Sequence, residues 1–199
     1  MKDRSLLMIP GPIEFEPEVL AALGAPTNSH VAPEFIEEFG QALERLRDVF
    51  LSSDGQPFVI AGSGTLAMDL AGANLIEPGD RALVVNTGYF SDRFGELLER
   101  YGAVVTHVRA PVGARPTLDE VEDALKGAVY QVMTVTHVDT STGVVADVEE
   151  LAALARRYGV LTVVDGVCSV AGEALRMDEW GVDIALTASQ KAISVPPGL

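Results

Sequence analysis

Apolar residues recur at helical spacing between Pro33 and Leu51. Phe35, Ile36, Phe39, Leu43, Leu46, Val49 and Phe50 form the stripe, with Glu and Arg between them. Such spacing predicts an amphipathic helix. Beyond it, short apolar runs alternate with further helical patterns. Strands are expected at 57–61, 81–85, 103–108, 130–136, 160–164 and 184–187, and helices at 65–75, 92–101, 117–126 and 147–158. Pro78-Gly79 stops the helix that opens at 65. Thr117 and Glu120 make a capping box for the helix at 117, and Asp147 with Glu150 gives a similar signal for the last one. The strand runs are apolar without alternation, so both their faces are expected to be buried. Helices between such strands predict an α/β fold with a parallel sheet and right-handed crossovers.

Composition narrows the partners. The chain has 199 residues, 48% of them hydrophobic, so it can bury a sizeable core. Its formal charge of −15 repels nucleic-acid backbones and anionic membranes, and neither is expected as a partner. No apolar run approaches the ~20 residues of a membrane helix. The run Ser5-Leu6-Leu7-Met8-Ile9, ended by Pro10-Gly11-Pro12, is too short for a signal-peptide core. A soluble, cytoplasmic protein is expected. The single Cys168 excludes an internal disulfide and a cysteine-based zinc site, and no metal is expected. Repeats and low-complexity linkers are absent.

Open parallel sheets bind ligands beyond the carboxyl ends of their strands. The chemically distinctive residues fall there. Gly62-Ser63-Gly64-Thr65 joins an expected strand to a helix. Glycines permit close backbone approach and a helix start offers free N–H groups, which suits a phosphate; a plain tight turn is the alternative. The turn is neither a Walker loop nor G-x-G-x-x-G. Asp165 ends the strand Leu161-Thr162-Val163-Val164, where a carboxylate can face a ligand, cap a turn or bind a metal. Lysines are scarce: Lys2, Lys126 and Lys191 are the only three. Lys191 follows an apolar strand, and a lysine kept near the interior becomes nucleophilic as its pKa falls; a snorkelling surface lysine is the alternative. A phosphate cradle, a carboxylate and an interior lysine on successive strand ends match the needs of pyridoxal phosphate.

Asp165-Gly166-Val167-Cys168-Ser169, Asp178-Glu179-Trp180-Gly181-Val182-Asp183 and Thr187-Ala188-Ser189-Gln190-Lys191-Ala192 resemble the class V aminotransferases of fold type I. Pro10-Gly11-Pro12, Asn28-Ser29-His30, the Gly-Ser-Gly-Thr turn and Val138-Asp139-Thr140-Ser141-Thr142-Gly143 fit in the same order. The likeness spans essentially the whole chain and is nearest the alanine–glyoxylate and serine–pyruvate branch. It implies a three-layer αβα sandwich, the cofactor-binding large domain, at 31–199, incomplete at its C-terminal end. Residues 1–30 would be a segment lining the substrate pocket. By position, Lys191 would bind pyridoxal 5'-phosphate covalently and move the substrate proton. Asp165 would pair with the pyridine nitrogen, Phe90 would stack on one ring face and Val167 on the other. Ser63, Gly64, Thr65 and Gln190 would hold the phosphate, and Thr140 would hydrogen-bond near the ring oxygen. Gly11 and His30 would lie on the substrate side. His107 and His137 read as sheet or loop residues, and Cys168 as small packing behind the cofactor.

The resemblance further implies a homodimer acting on a small amino acid and a 2-oxo acid, with alanine and glyoxylate giving pyruvate and glycine. It also implies a domain beyond Leu199 carrying the arginine that grips the substrate carboxylate, since no arginine in this sequence matches that role. Serine–pyruvate or another class V transamination is the nearest alternative. Desulfuration needs a mobile cysteine, and Cys168 is poorly placed for it. A non-catalytic α/β binding module or an inactive fragment is the alternative of a different class.

Overall fold

The apolar runs pair into a sheet whose strands all point one way. The computed structural model describes residues 5–199, so the first four residues of the 1–30 segment, Lys2 among them, lie outside it. Helices α1 (Pro17–Leu23) and α2 (Pro33–Phe50) come first, followed by α3 (Gly64–Leu75). Strand β1 (Arg81–Asn86), helix α4 (Tyr89–Arg100), strand β2 (Val104–Arg109), helix α5 (Leu118–Gly127) and strand β3 (Val132–Thr136) then alternate. A small hairpin of β4 (Val138–Asp139) and β5 (Val144–Val145) precedes α6 (Val148–Arg157), β6 (Leu161–Asp165), α7 (Met177–Trp180) and β7 (Ile184–Leu186). The parallel sheet has the order β2-β1-β3-β6-β7.

Successive side chains of one strand enter different cores, as the missing alternation predicts. Ala82 and Val84 of β1 pack with Met68 of α3 and with Phe94, Leu97 and Leu98 of α4. Leu83 and Val85 pack instead with Val121 and Leu125 of α5 and with Leu151 and Leu154 of α6. The sheet is therefore the middle of three layers. Phe94 is completely buried, and truncating such a residue to Ala costs about 3–5 kcal/mol. Among the described residues, no helix is long and apolar enough to cross a membrane.

Several local expectations need correction. Residues 57–61 form no strand. Pro57 lacks a donor N–H, Phe58 and Ile60 are exposed, and the segment finds no partner in the sheet. Helix α4 starts at Tyr89 instead of 92, because its cap comes from residues far along the chain. The capping box of Thr117 and Glu120 forms as expected. Asp147 makes no side-chain cap; it pairs with Arg115 at 2.5 Å.

Candidate active site

Asp165 is the last residue of β6, level with Thr136 of β3 and Leu186 of β7, and is 2% exposed. Its Oδ1 accepts the Val167 N–H at 3.0 Å. Burial pushes its carboxyl up to about 6; the Val167 N–H opposes this, and the charge of Asp139 adds to it. A buried carboxyl raised for want of a positive partner is the complement of a protonated ring nitrogen. On this observation the site fits pyridoxal phosphate.

Lys191 enters the same end of the sheet through the segment that follows β7. Its Nζ donates to the Pro10 carbonyl at 3.1 Å. Gly11 lies flat against the side chain, and a Cβ there would stand 2.6 Å from Lys191 Cδ and 3.0 Å from Nζ. The neighbouring Gln190 carbonyl accepts the Ile13 N–H at 3.4 Å. The N-terminal segment thus forms one wall around the lysine.

The Gly-Ser-Gly-Thr turn opens α3. Ser63 is the N-cap, its hydroxyl accepting the Leu66 N–H at 3.2 Å. Gly64 is buried, and a Cβ on it would meet Val167 Cγ2 at 2.7 Å and Ala188 Cβ at 3.4 Å. Only glycine lets the helix start come this close to the loop after Asp165. Gly62 donates to the Gly198 carbonyl at 2.8 Å, which ties the turn to the segment beyond Lys191. The first turn of a helix leaves N–H groups unpaired, and Gly64 and Thr65 bring theirs to this end of the sheet, as a phosphate requires.

Phe90 is half-buried in the first turn of α4, edge-on to Tyr89. The start of α4 is capped by Asp139, which is fully buried. Its Oδ2 accepts the N–H groups of Phe90 at 3.1 Å and Ser91 at 3.3 Å. Its Oδ1 accepts the N–H of Ser141 at 3.0 Å and its hydroxyl at 2.6 Å. Thr140, between these two residues, is half-buried.

The structure therefore gathers Ser63, Gly64, Thr65, Phe90, Thr140, Asp165, Val167, Gln190 and Lys191 around the carboxyl ends of β1, β3, β6 and β7, with Gly11 against the lysine. His30 is exposed before α2 and has no hydrogen bond to these residues. His107 shares a 3.1 Å bond with Asn86 between β2 and β1, and His137 is buried edge-on to Trp180; burial lowers the pKa of both. Pro10, Gly88, Asp139 and Ser141 also belong to this site. Asp139 has a signal in the sequence, an acid three residues beyond an apolar strand. Gly88 has none, because its role lies in the space opposite, where a Cβ would stand 2.7 Å from Asp139 Cγ.

Comparisons with known proteins show the family. The family model for aminotransferase class-V matches residues 18–199. The chain is 45% identical to alanine–glyoxylate aminotransferase 1 of Saccharomyces cerevisiae, over 100% of this chain and 54% of that protein. It is 37% identical to L-aspartate–glyoxylate aminotransferase of Paracoccus denitrificans, over 100% of this chain and 52% of that protein. The crystal structure of ureidoglycine–glyoxylate aminotransferase from Bacillus subtilis superposes with a TM-score of 0.93 at 28% identity, covering 100% of this chain and 52% of that one. The chain thus spans about half the length of the relatives it matches. With the family model covering nearly its whole length, the chain belongs to the class V aminotransferases, a family of pyridoxal-phosphate enzymes.

Proposed function

We propose that the complete protein transfers the amino group of alanine to glyoxylate, giving pyruvate and glycine. The observation that carries the reading is Asp165, buried with no cation paired to it among the described residues, at the strand ends that also bring in Lys191. When bound, pyridoxal phosphate supplies an electron sink for the amino group. Asp165 would hold the ring nitrogen protonated. Lys191 would hold the cofactor through Nζ and would carry a proton to and from the substrate Cα. Phe90 and Val167 would exclude water from the ring. Ser63, Gly64, Thr65 and Gln190 bind the phosphate, and the Thr140 hydroxyl orients the ring from its oxygen side. Gly11 lines the substrate side, within an N-terminal segment (1–30) that closes the cofactor domain (31–199), and His30 stands at the same side.

The acceptor has broader support than the donor. The three relatives described above are named for three different donors, alanine, L-aspartate and ureidoglycine, but for the same acceptor, glyoxylate. The yeast relative, at 45% identity, favours alanine. A donor with a second carboxylate would need a cationic partner for it wherever the site is buried, which also favours a short, uncharged side chain. Serine differs from alanine by one hydroxyl, which an apolar pocket rejects by only about a hundredfold. A homodimer is part of the same reading, supported by the exposed Phe35, Ile36, Phe39 and Val49 on α2. So is a cytoplasmic location, supported by a single cysteine with no disulfide to form within the chain.

Steady-state rates of the full-length protein with alanine, serine and aspartate, each against glyoxylate, pyruvate and 2-oxoglutarate, test the assignment. Alanine with glyoxylate is expected to give the highest kcat/KM. A preference for 2-oxoglutarate, or for aspartate as donor, overturns it. Sedimentation of the active enzyme as a monomer overturns the dimer.

A further inference from the structure

Asp139 stands out among the polar residues that the proposed chemistry does not use. It is fully buried, and no cation pairs with it among the described residues. Every hydrogen bond it makes is accepted. Two of the donors are the N–H groups of Phe90 and Ser91, at 3.1 and 3.3 Å, in the first turn of α4. The Ser91 hydroxyl donates at 3.5 Å, and the N–H and hydroxyl of Ser141 complete the set. That hydroxyl in turn accepts the Tyr89 N–H at 3.0 Å, so the carboxylate and one serine satisfy the first three N–H groups of the helix. A third strut is the Thr142 hydroxyl, which donates to the Thr87 carbonyl at 2.8 Å.

A helix start is usually capped by the residue immediately before it. Here that residue is Gly88, which has no side chain to offer. A Cβ at Gly88 would fall 2.5 Å from Ser141 Oγ and 2.7 Å from Asp139 Cγ, inside the space the substitute cap occupies. The cap is thus delivered by β4, which follows β3 in the chain, and its two ends touch different things. One end holds the backbone of Phe90; the other adjoins Thr140.

We propose that Asp139 is a positioning residue for the cofactor ring, fixing Phe90 against the ring face through the α4 N-terminus. It rests on the reading above, in which Phe90 stacks on pyridoxal phosphate. Asp139 touches neither cofactor nor substrate. Its charge also bears on Asp165, but that effect is smaller than the burial of Asp165 itself; the larger effect on the ring passes through Phe90, so removing the phenyl ring removes most of what Asp139 contributes to cofactor binding.

A double-mutant cycle on the full-length protein tests this, with Asp139→Asn made alone and in a Phe90→Leu background. The readouts are the dissociation constant for pyridoxal phosphate and the visible circular dichroism of the saturated holoenzyme. Asparagine has one acceptor oxygen and turns an amide donor toward N–H groups. It is expected to weaken cofactor binding about tenfold alone and less than about twofold beside Phe90→Leu. Its dichroic band should also fall at saturation, because the ring is less firmly held. Equal weakening in both backgrounds, or none, overturns the proposal, since a purely structural role does not depend on the phenyl ring. Ser141→Ala, at an exposed position, serves if Asp139→Asn does not fold; it should show the same dependence on Phe90 with a smaller amplitude, and overturns the proposal if it does not. A wild-type protein that fails to bind pyridoxal phosphate refutes the functional reading itself. That result is distinct from a wild-type protein that binds while the cycle is additive.

Discussion

Gly11 lies against Lys191 so closely that a single added carbon would stand 2.6 Å from Cδ of the lysine. The contact leaves no room for a Cβ unless the lysine side chain or the segment moves, and it joins residues 180 positions apart in the chain. The backbone of Gly11, with φ +143, is also one that side-chain-bearing residues rarely adopt. Gly11→Ala is therefore expected to displace either the lysine or the segment. Borohydride reduction followed by peptide mapping should show lower covalent labelling at Lys191, and kcat should fall at least about tenfold. Normal labelling and turnover would place the segment away from the lysine in the working enzyme.

Lys191→Ala is expected to abolish transamination and to leave the cofactor bound weakly and without a covalent link. The same mapping experiment decides it in the parent protein. Labelling of Lys126 or Lys2 instead of Lys191 would sink the assignment.

Asp165 gives a prediction whose sign is unusual for an aspartate. Its folded pKa is raised, from 3.8 to about 6, so the folded chain holds the proton more tightly than the unfolded chain. The stability this group contributes is present below about pH 4 and is lost as the pH rises through about 6. At neutral pH the buried charge costs about 3 kcal/mol in the cofactor-free protein. Asp165→Asn should consequently stabilise that form at pH 7 by up to this amount and change little at pH 4, while slowing turnover by orders of magnitude. Thermal melts at the two pH values, beside rates of the reconstituted enzyme, check both halves. A variant that is less stable at pH 7 and turns over normally would contradict the electrostatic account.

Gly64→Ala should act through Val167. The new methyl would meet Val167 Cγ2 at 2.7 Å, at the point where the helix start approaches the loop after β6. Cofactor affinity is expected to fall about tenfold, within the 1–3 kcal/mol range usual for overpacking. Adding Val167→Ala should recover part of the loss. Titration of the apoprotein with pyridoxal phosphate measures both effects, and a double variant no better than the single would place the damage elsewhere.

The main lines of the fold were legible because burial on both faces leaves a plain mark. Runs such as Leu83-Val84-Val85 are apolar at every position, and they become interior strands. The 57–61 run looked similar, yet its Phe58 and Ile60 are exposed. Composition alone does not show whether a partner strand exists. Asp165 and Lys191 were legible as candidates because a charged side chain at the end of an apolar strand, or a few residues beyond one, demands a reason. Asp139 was harder to read as an individual. Its partners Phe90 and Ser91 lie 49 and 48 residues earlier, and a cap supplied across such a distance has no local signature. The same cause moved the start of α4 back to Tyr89. Glycines 11, 64 and 88 have their meaning in what stands opposite them, which spacing does not report.

The link between α2 and the body of the domain has a consequence for how the chain opens. Helix α2 has no fully buried residue in its 18 positions. Its C-terminal end is pinned where Asp178 accepts the Ser52 hydroxyl at 2.6 Å and the Ser53 N–H at 2.6 Å, and where Arg47 donates to the Gly55 carbonyl at 2.8 Å. A helix held mainly at one end can unravel from the other without disturbing the sheet. In this 199-residue chain, amide protons near Glu34–Phe39 should exchange with solvent orders of magnitude faster than those of β1 or β3. Protection should rise along the helix toward Phe50. Asp178→Ala would spread fast exchange over the whole of α2 and leave β1 unaffected, so that α2 comes loose while the sheet stays closed.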